Sequence, residues 1–170
     1  MPDTYVVDVD QFITNAKAIL QKANDQNIEL YYMLKQIGRN PYLAMELEKI
    51  GYKGAVVVDF KEAEVMMKNH LHIAHAGHLV QIPSMMVNQL VEYGCDYITV
   101  YSYEKLVEVN EAAKKVGISQ KICVRVIGEN DRIYSGQTAG FYLDQLEELV
   151  QKAKYLTHIE IAGVDNFPCF

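Results

Sequence analysis

Short runs rich in β-branched and aromatic residues alternate along this chain with longer segments in which apolar residues recur every three or four positions. The short runs are typical of buried strands, and the longer segments are typical of amphipathic helices. After an opening strand at residues 4–9, six strands are predicted at residues 29–34, 55–58, 72–76, 97–101, 122–127 and 159–163. This alternation predicts parallel β-α-β units.

The predicted helices have recognisable ends. Asp10 is expected to cap the first helix, and Asn40 before Pro41 and Ser102 mark the starts of two later ones. Glycines follow three helix ends, at Gly51, Gly94 and Gly117. The apolar stripe of the first helix is formed by Phe12, Ile13, Ala16, Ile19, Leu20 and Ala23.

The strand composition and the connections indicate the fold class. Strands 55–58 and 122–126 are rich in β-branched residues, as strands covered on both faces should be. We therefore expect one α/β domain over residues 1–170, with one long irregular segment at residues 128–140. An open doubly wound sheet and a (β/α) TIM-type barrel both satisfy this order. No glycine-rich dinucleotide or P-loop motif follows a strand, so those two sites are poorly supported.

Composition narrows the functional class. The 170 residues are half apolar and 22% charged, as in a folded domain, but fall short of the ~250 residues of a complete eight-stranded barrel. The net charge of −6 argues against a nucleic-acid partner, which needs clustered Lys and Arg. No apolar run reaches the ~18 residues of a membrane span, and the acidic N-terminus is unlike a signal peptide. We expect a cytoplasmic protein with no membrane partner.

The cysteines offer little chemistry. Cys95, Cys123 and Cys169 lie far apart with no C-x-x-C spacing, so neither a disulfide framework nor a structural zinc site is suggested. Cys95 and Cys123 are expected to be small buried side chains.

Lys35 is the first candidate for chemistry, because it directly follows the strand predicted at residues 29–34. Active sites of parallel α/β folds lie where the strands end. Apolar walls at that position would lower the pKa of the amine, as a Schiff-base nucleophile requires. The alternative is a solvated lysine at a strand end.

Histidines form a second candidate cluster. His72 and His75 lie on one predicted strand, and His78 follows it. Period-two alternation would place His72 and Ala74 on one face of the strand, with Ile73 and His75 on the other. No carboxylate or cysteine joins the histidines at a convincing ligand spacing, so no metal site is predicted. His75 and His78 are expected to line a pocket.

Arg125 is a charge within an otherwise apolar strand, and a buried guanidinium must find an anion or hydrogen-bond acceptors. It could form an internal ion pair or orient an anionic or phenolic oxygen of a ligand. Arg132 follows in the irregular segment, where exposure is the simpler expectation. Tyr31, Tyr32 and Tyr101, with Met33, are expected to pack in the core.

Several stretches carry a resemblance to a known family. Residues 31–41, 47–52 and 57–63 occur in an order that resembles the alanine-racemase-like family of pyridoxal 5'-phosphate enzymes. In that family a strand-end lysine carries the cofactor, an Asn-Pro or similar helix start follows, and a Glu-Ala step opens the helix after the second barrel strand. Residues 77–83, 134–137 and 167–169 resemble the YhfX branch of this family.

The resemblance implies roles for particular residues. Lys35 would form the Schiff base with pyridoxal 5'-phosphate and act as one of two bases at the substrate α-carbon. Arg132 falls near the family arginine that approaches the phenolic oxygen of the cofactor, and Arg125 takes the place of a strand lysine that helps to position it. The family stacks a histidine on the pyridine ring after the sixth strand. Asn166 stands there instead, or Asp165 if the gap is placed differently.

The resemblance also implies a TIM-type barrel of about six strands, incomplete at the C-terminus, because the sequence ends at Phe170 after the sixth strand. In this fold the phosphate usually sits on loops after strands seven and eight. The family also leads us to expect a C-terminal β domain that contributes the opposing base. Neither part is expected within this sequence.

The function expected from the resemblance is that of an amino-acid racemase-like enzyme, an isomerase that removes and returns the α-proton of an amino acid. A decarboxylase or aldolase on the same scaffold is one alternative. A non-catalytic cofactor-binding or scaffold fragment is a second, since an open sheet edge would favour a homo-oligomer. A barrel enzyme of unrelated chemistry, with Lys35 merely exposed, is a third.

Overall fold

A computed structural model describes residues 3–134 and 139–167, in which six strands alternate with six α-helices. The strands are β1 (Tyr32–Met33), β2 (Ala55–Val57), β3 (Ile73–Ala76), β4 (Tyr97–Val100), β5 (Gln120–Arg125) and β6 (Ile159–Asp165). The helices are α1 (Val9–Asn24), α2 (Pro41–Ile50), α3 (Phe60–Lys68), α4 (Ser84–Tyr93), α5 (Tyr103–Val116) and α6 (Leu146–Ala153). Short 3₁₀ helices at Leu34–Ile37 and Leu143–Gln145 follow β1 and precede α6.

All strands form one parallel sheet in the order β1-β2-β3-β4-β5-β6. The six predicted strands and their parallel arrangement are therefore confirmed. Within the described residues the sheet is not closed, because β1 pairs only with β2 and β6 only with β5. This is the strand order of part of a (β/α) barrel, in which consecutive strands are neighbours.

The helix ends follow the local signals. The Asn40 side chain accepts hydrogen bonds from the backbone N–H groups of Tyr42 and Leu43, and Ser102 caps α5 by accepting from the N–H of Lys105. Gly51, Gly94 and Gly117 all adopt left-handed conformations at the ends of α2, α4 and α5. These predictions are confirmed.

The core lies between the sheet and its helices. Ile98 and Val100 of β4 and Ile122 and Val124 of β5 are at most 2% exposed, and they pack with the buried side chains of α4 and α5. Burying each such side chain contributes about 1.5–3 kcal/mol. The other face of these strands carries polar residues, which makes it the face to search for a site.

A register shift between β2 and β3 corrects the predicted alternation along β3. Ala55 pairs with Ile73, but the next residue, Val56, pairs with His75, so Ala74 is an extra residue. Successive residues of β2 face opposite sides of the sheet, and paired residues share a side. Ile73 and His75 therefore lie on opposite faces, where strict alternation had placed them together.

The N-terminal prediction was wrong in two respects. Residues 4–8 form no strand, and Tyr5 and Val6 are 100% and 90% exposed. A strand needs a hydrogen-bonded neighbour, and none of the sheet pairings includes these residues. Helix α1 starts two residues earlier than expected, because Asp8 rather than Asp10 accepts the capping hydrogen bond from the N–H of Gln11.

The remaining predictions concern smaller features. Ile19 of the predicted stripe is 57% exposed, whereas Ala16, Leu20 and Ala23 are buried. Tyr31, predicted to pack in the core, is 41% exposed, because it lies at the edge strand of the described sheet. The described parts of the irregular segment, residues 128–134 and 139–140, contain neither helix nor strand, and residues 135–138 and 168–170 lie outside the described residues. Cys95 and Cys123 are free thiols, and Cys169 is outside the described part. Across the described residues, no helix is both long and apolar enough to cross a membrane.

Candidate active site at the carboxyl ends of the strands

Lys35 lies at the carboxyl end of β1, but as the second residue of the 3₁₀ helix Leu34–Ile37 rather than as the last residue of a long strand. Its side chain is exposed. The expectation that apolar walls enclose Lys35 was therefore wrong. The physical reason is that β1 is an edge strand in the described sheet, so protein surrounds the following turn on one side only.

The turn that carries Lys35 is fixed to the next β-α unit through Arg39 and Glu62. Glu62 is fully buried, and its Oε2 accepts a hydrogen bond of 2.8 Å from the N–H of Val58. Arg39 Nε lies 2.9 Å from Glu62 Oε1, although this N–H is not aligned as a hydrogen bond and leaves that oxygen without one. Gly38 and Arg39 both have positive φ angles, of 68° and 56°. The ion pair holds this tight turn against α3.

A polar cluster lies at the same end of the sheet, on the face away from the helices. We call it the Asp165 cluster, and it consists of His75, His78, Thr99, Arg125 and Asp165. Asp165 accepts a hydrogen bond of 3.2 Å from the Thr99 hydroxyl and lies 3.2 Å from His78 Nδ1. Arg125 Nη1 is 3.8 Å from the same carboxylate. One acidic side chain thus joins β3, β4, β5 and β6.

His75 is held in its neutral form. Its Nε2 lies 2.6 Å from the Thr99 hydroxyl. Burial lowers the pKa of His75 from 6.5 to about 4, with the charge of His78 lowering it further and the charge of Asp165 partly offsetting both. At neutral pH this side chain can therefore hydrogen-bond but does not carry charge.

Asp165 is held in its ionised form. Burial alone would raise the pKa of its carboxyl, but the hydrogen bond from His78 and the electrostatic attraction of His78 and of the Arg125 guanidinium outweigh burial, so the pKa lies below its ordinary value. An ionised carboxylate only accepts hydrogen bonds. This fixes the direction of every hydrogen bond in the cluster.

Arg125 is completely buried and makes an internal ion pair, which was one of the two roles expected for it. Nη1 donates to the carbonyl of His78 over 3.4 Å, and Nη2 donates to the carbonyl of Phe167. The guanidinium also lies 5.6 Å from the centre of the Tyr101 ring. Among the described residues its Nε–H has no hydrogen-bond partner.

The chain segment after β3 is positioned by β4. Gly77 has φ +85°, and a Cβ atom there would lie 2.9 Å from the carbonyl oxygen of Thr99, so only glycine fits this close approach. The Tyr101 hydroxyl donates to the carbonyls of Gly77 and His78 over 2.8 Å and 3.1 Å. Tyr101 is buried, as predicted, but it also fixes the backbone that presents His78.

Arg132 and Asn166 lie apart from this cluster. Arg132 is exposed, in agreement with the simpler expectation for a residue of the irregular segment. The Asn166 amide donates to the carbonyl of Val126 over 2.9 Å and to the Asp131 carboxylate over 3.0 Å. Its donor hydrogens therefore hold the start of the irregular segment against the end of β6.

Sequence reasoning missed Thr99 and gave Asp165 only a secondary place. Both lie near the carboxyl ends of their strands, where polar residues of parallel sheets are candidates for a site. Thr99, between Ile98 and Val100, is also a common residue of buried strands, so composition alone does not separate a hydrogen-bonding threonine from a packing one. No group of three or more potential metal ligands occurs within the described residues.

The arrangement has two chemically distinct parts. Lys35 offers an exposed primary amine, while the Asp165 cluster offers a carboxylate, a guanidinium and two imidazoles in fixed geometry. Among the described residues, no ion pair or hydrogen bond involves Lys35 Nζ. An exposed amine can attach an electrophilic ligand, and the imidazoles of the cluster can exchange protons.

A comparison with known proteins identifies a sequence relative of this chain. The chain is 46% identical over 168 residues to the uncharacterized protein YhfX of Escherichia coli (strain K12), covering 99% of this chain and 43% of YhfX. It therefore spans less than half the length of that relative.

Solved structures share the fold at low sequence identity. D-threonine aldolase from Filomicrobium marinum matches with a TM-score of 0.73 at 19% identity, over 94% of this chain and 42% of the aldolase. Diaminopimelate decarboxylase from Helicobacter pylori complexed with L-lysine gives 0.70 at 20%, over 96% and 44%. Alanine racemase of Clostridium difficile 630 gives 0.65 at 17%, over 92% and 38%.

The family comparison covers nearly the whole chain. Residues 7–169 match the family described as "Alanine racemase, N-terminal domain". The six parallel strands and their alternating helices agree with this match. The chain belongs to the alanine racemase N-terminal domain family.

Proposed function

We propose that this protein acts as a pyridoxal 5'-phosphate-dependent, racemase-like enzyme on an amino acid, with Lys35 as the residue that binds the cofactor. The observation that carries the proposal is the family match over residues 7–169, combined with a lysine at the carboxyl end of the first strand of the sheet. Fold alone does not define a reaction, so the proposal rests on this residue and its surroundings.

The residues present suit the chemistry of this cofactor. Its aldehyde needs a primary amine, and Lys35 is exposed, with no ion pair or hydrogen bond to another described residue. Its phenolic oxygen needs a donor, and the buried Nε–H of Arg125 has no partner within the described part of the chain. A buried donor without a partner costs about 1–3 kcal/mol, which is a reason to expect a ligand or water in its vicinity.

We assign the holding of the cofactor to Lys35, at the aldehyde, and to Arg125 and Arg132, near the phenolic oxygen. In this proposal His75, His78 and Asn166 are the remaining cofactor-binding residues. The cofactor, when bound, would draw electrons from the bonds at the α-carbon of the substrate.

Lys35 has a second part in this proposal. Its Nζ accepts the α-proton of the amino acid and returns it, which is the task of a base placed at one face of the substrate. An exposed amine can approach a ligand without breaking existing contacts.

The choice of reaction is part of the proposal. Racemisation is the first candidate because the family takes its description from alanine racemase. Decarboxylation or cleavage is the second, because solved structures of a decarboxylase and an aldolase share the fold. Cofactor binding without turnover is the third. The three differ in which bond of the α-carbon breaks, if any.

We further propose that the protein is a cytoplasmic homo-oligomer with an amino-acid substrate and without nucleic-acid or membrane partners. The net charge of −6 disfavours phosphate-backbone binding. The unpaired edges of β1 and β6 within the described sheet favour association with further strands.

Absorbance spectroscopy tests the cofactor proposal. The protein mixed with pyridoxal 5'-phosphate should show the absorption band of the lysine-bound cofactor, and borohydride reduction followed by mass spectrometry should locate the added mass on Lys35. Lys35→Ala should lose the band, whereas Lys53→Ala, which removes another exposed lysine, should keep it. A band that survives in Lys35→Ala, or none in the unaltered protein, refutes the assignment.

Proton exchange then tests the reaction. An amino acid incubated with the cofactor-loaded protein in deuterated water should acquire deuterium at its α-carbon if the proposed racemase-like chemistry occurs. Release of carbon dioxide or of an aldehyde would indicate the decarboxylase or aldolase alternative. If the cofactor binds but no deuterium exchange, carbon dioxide or aldehyde is detected, cofactor binding without catalysis is the remaining alternative.

A further inference from the structure

We propose that His78 and Asp165 form an acid–base pair, in which His78 Nε2 takes a proton from the ammonium group of an amino-acid ligand. The identity of the ligand rests on the proposed function. The pair itself rests on the hydrogen bonds of the Asp165 cluster. His78 would be the catalytic residue, and Asp165 the residue that positions it.

Asp165 determines which nitrogen of His78 carries the proton. The carboxylate can only accept, and His78 Nδ1 lies 3.2 Å and 3.3 Å from its two oxygens. Nδ1 must therefore be the protonated nitrogen. In the neutral ring the lone pair then lies on Nε2, which is the form a general base needs.

Thr99 determines that the other ring nitrogen, Nε2, carries the proton in His75. The Thr99 hydroxyl donates its single proton to Asp165 over 3.2 Å, so its oxygen must accept the hydrogen bond from His75. Nε2 of His75 is therefore the protonated nitrogen. Burial favours its neutral form, because the pKa is lowered to about 4. His75 supports Asp165 through Thr99, and His78 is the imidazole left to exchange a proton.

The surroundings of His78 agree with this role. Its ring faces the Asp165 carboxylate, lies 5.7 Å from the neutral ring of His75, and is 19% exposed as a side chain. Arg125 and Tyr101 contact its backbone carbonyl rather than its ring nitrogens. Among the described residues, nothing hydrogen-bonds to Nε2, so this atom is available to a ligand.

The proton transfer balances without any further reactant. An N–H bond of the ligand ammonium breaks, its electron pair stays on the nitrogen, and a new N–H bond forms at His78 Nε2. The positive charge moves from the ligand to the imidazolium beside the Asp165 carboxylate, which stabilises it. The neutral amine is then a nucleophile toward a carbonyl carbon, and the proton returns when the amine is released.

Nitrogen NMR of the histidine rings tests the pair without any cofactor. At neutral pH we expect the Nδ1–H form for His78 and the Nε2–H form for His75, read from long-range ¹H–¹⁵N correlations of the two rings. Asp165→Asn should remove the fixed Nδ1–H form of His78. Finding His78 as Nε2–H in the unaltered protein overturns the proposal.

Two variants of His78 test the proton transfer. His78→Asn keeps an amide donor near the position of Nδ1, so it retains the contact with Asp165 but has no Nε2. His78→Gln places its amide near the position of Nε2 and serves as the comparison. Rates are measured on preparations of both variants that carry the lysine-bound cofactor band, which reports the Lys35 linkage, and circular dichroism should be unchanged.

The rate at which an added amino acid changes that band should fall about 100-fold or more in both variants. In both variants this rate should depend less on pH than in the unaltered protein, which a purely structural role of His78 would not produce. Rates within roughly threefold of the unaltered protein, with the pH dependence kept, overturn this proposal while the proposed function stands. If the unaltered protein shows no lysine-bound cofactor band, the proposed function is wrong. The proposed role of His78 toward an amino acid is then wrong as well.

Discussion

The two ends of the sheet, at β1 and at β6, hold their functional side chains in different ways. On the β1 side, Lys35 is exposed in a 3₁₀ turn after a strand of two residues. On the β6 side, Asp165 ends a strand of seven residues and is hydrogen-bonded to Thr99 of β4 and to His78 after β3. The lysine side chain is free to move, whereas the acidic side chain is fixed by its partners.

Under the proposed function, the two sides have different roles, with a mobile amine on one side and fixed polar side chains on the other. The Arg39–Glu62 ion pair and the left-handed Gly38 fix the backbone near Lys35 but leave its amine without a partner among the described residues. The Asp165 cluster fixes side chains, and therefore protonation states, in advance. A group that must reach a ligand needs freedom, while groups that orient protons need fixed geometry.

The largest effect is expected from removing the centre of the fixed cluster. Asp165→Ala leaves the Arg125 guanidinium buried without its anion, so the free energy of unfolding should fall by about 3–5 kcal/mol. Urea denaturation followed by circular dichroism measures this. Glu160→Ala, at an exposed position of the same strand, should change stability by no more than about 0.5 kcal/mol. Equal effects of the two substitutions would show that Asp165 is not the centre of a fixed cluster.

The second effect is a pH dependence of stability that arises from His75 in the Asp165 cluster. His75 is neutral in the folded protein down to about pH 4, but in the unfolded chain it takes up a proton near its ordinary pKa of 6.5. The unfolded state thus binds more protons between these values, and stability falls as the pH falls through this window. Between pH 7 and pH 5 the loss should be at most about 2 kcal/mol.

His75→Gln isolates this contribution, because glutamine can still donate to Thr99 but does not titrate. Its stability should depend less on pH than that of the unaltered protein between pH 7 and pH 5. Asp165 acts in another window, since its lowered pKa gives stability that is present above 3.8 and lost below. Identical pH dependence in the variant and the unaltered protein would contradict a buried, neutral His75.

The smallest effect is the difference in stability between two glycine substitutions, one from each side. Gly38→Ala should cost about 1–2 kcal/mol, because a left-handed φ of 68° is strained but no atom lies within 4 Å of the added Cβ. Gly77→Ala adds a clash with the carbonyl of Thr99 and should cost about 2–4 kcal/mol. Thermal unfolding of both variants checks the order. A larger loss in Gly38→Ala would mean that the Lys35 turn is the more tightly packed region.

Local sequence signals accounted for most of the fold. Each confirmed strand is a short run of β-branched or aromatic residues, and the capping residues Asn40 and Ser102 act through contacts within three positions along the chain. The opening strand failed because strand formation depends on a neighbour that the sequence does not specify locally. For the same reason the β1 strand is shorter than its apolar run suggested.

The site was only partly predictable. Lys35, His75, His78 and Arg125 stood out because a charge or an imidazole near the end of an apolar strand is unusual. Their connection through Asp165 joins residues up to 87 positions apart, and only the strand order brings them together. The exposure of Lys35 depends equally on the sheet having an edge at β1.

The extra residue at Ala74 has a consequence for comparing this protein with its relatives. If Ile73, Ala74 and His75 alternated regularly, His75 would point toward the helices and the Thr99 hydroxyl would lose its donor. An alignment that treats β3 as a regular strand will therefore match His75 to a core position and miss its role. Deleting Ala74 would instead place His75 directly after Ile73, so His75 would stay on the polar face of a strand that has become regular.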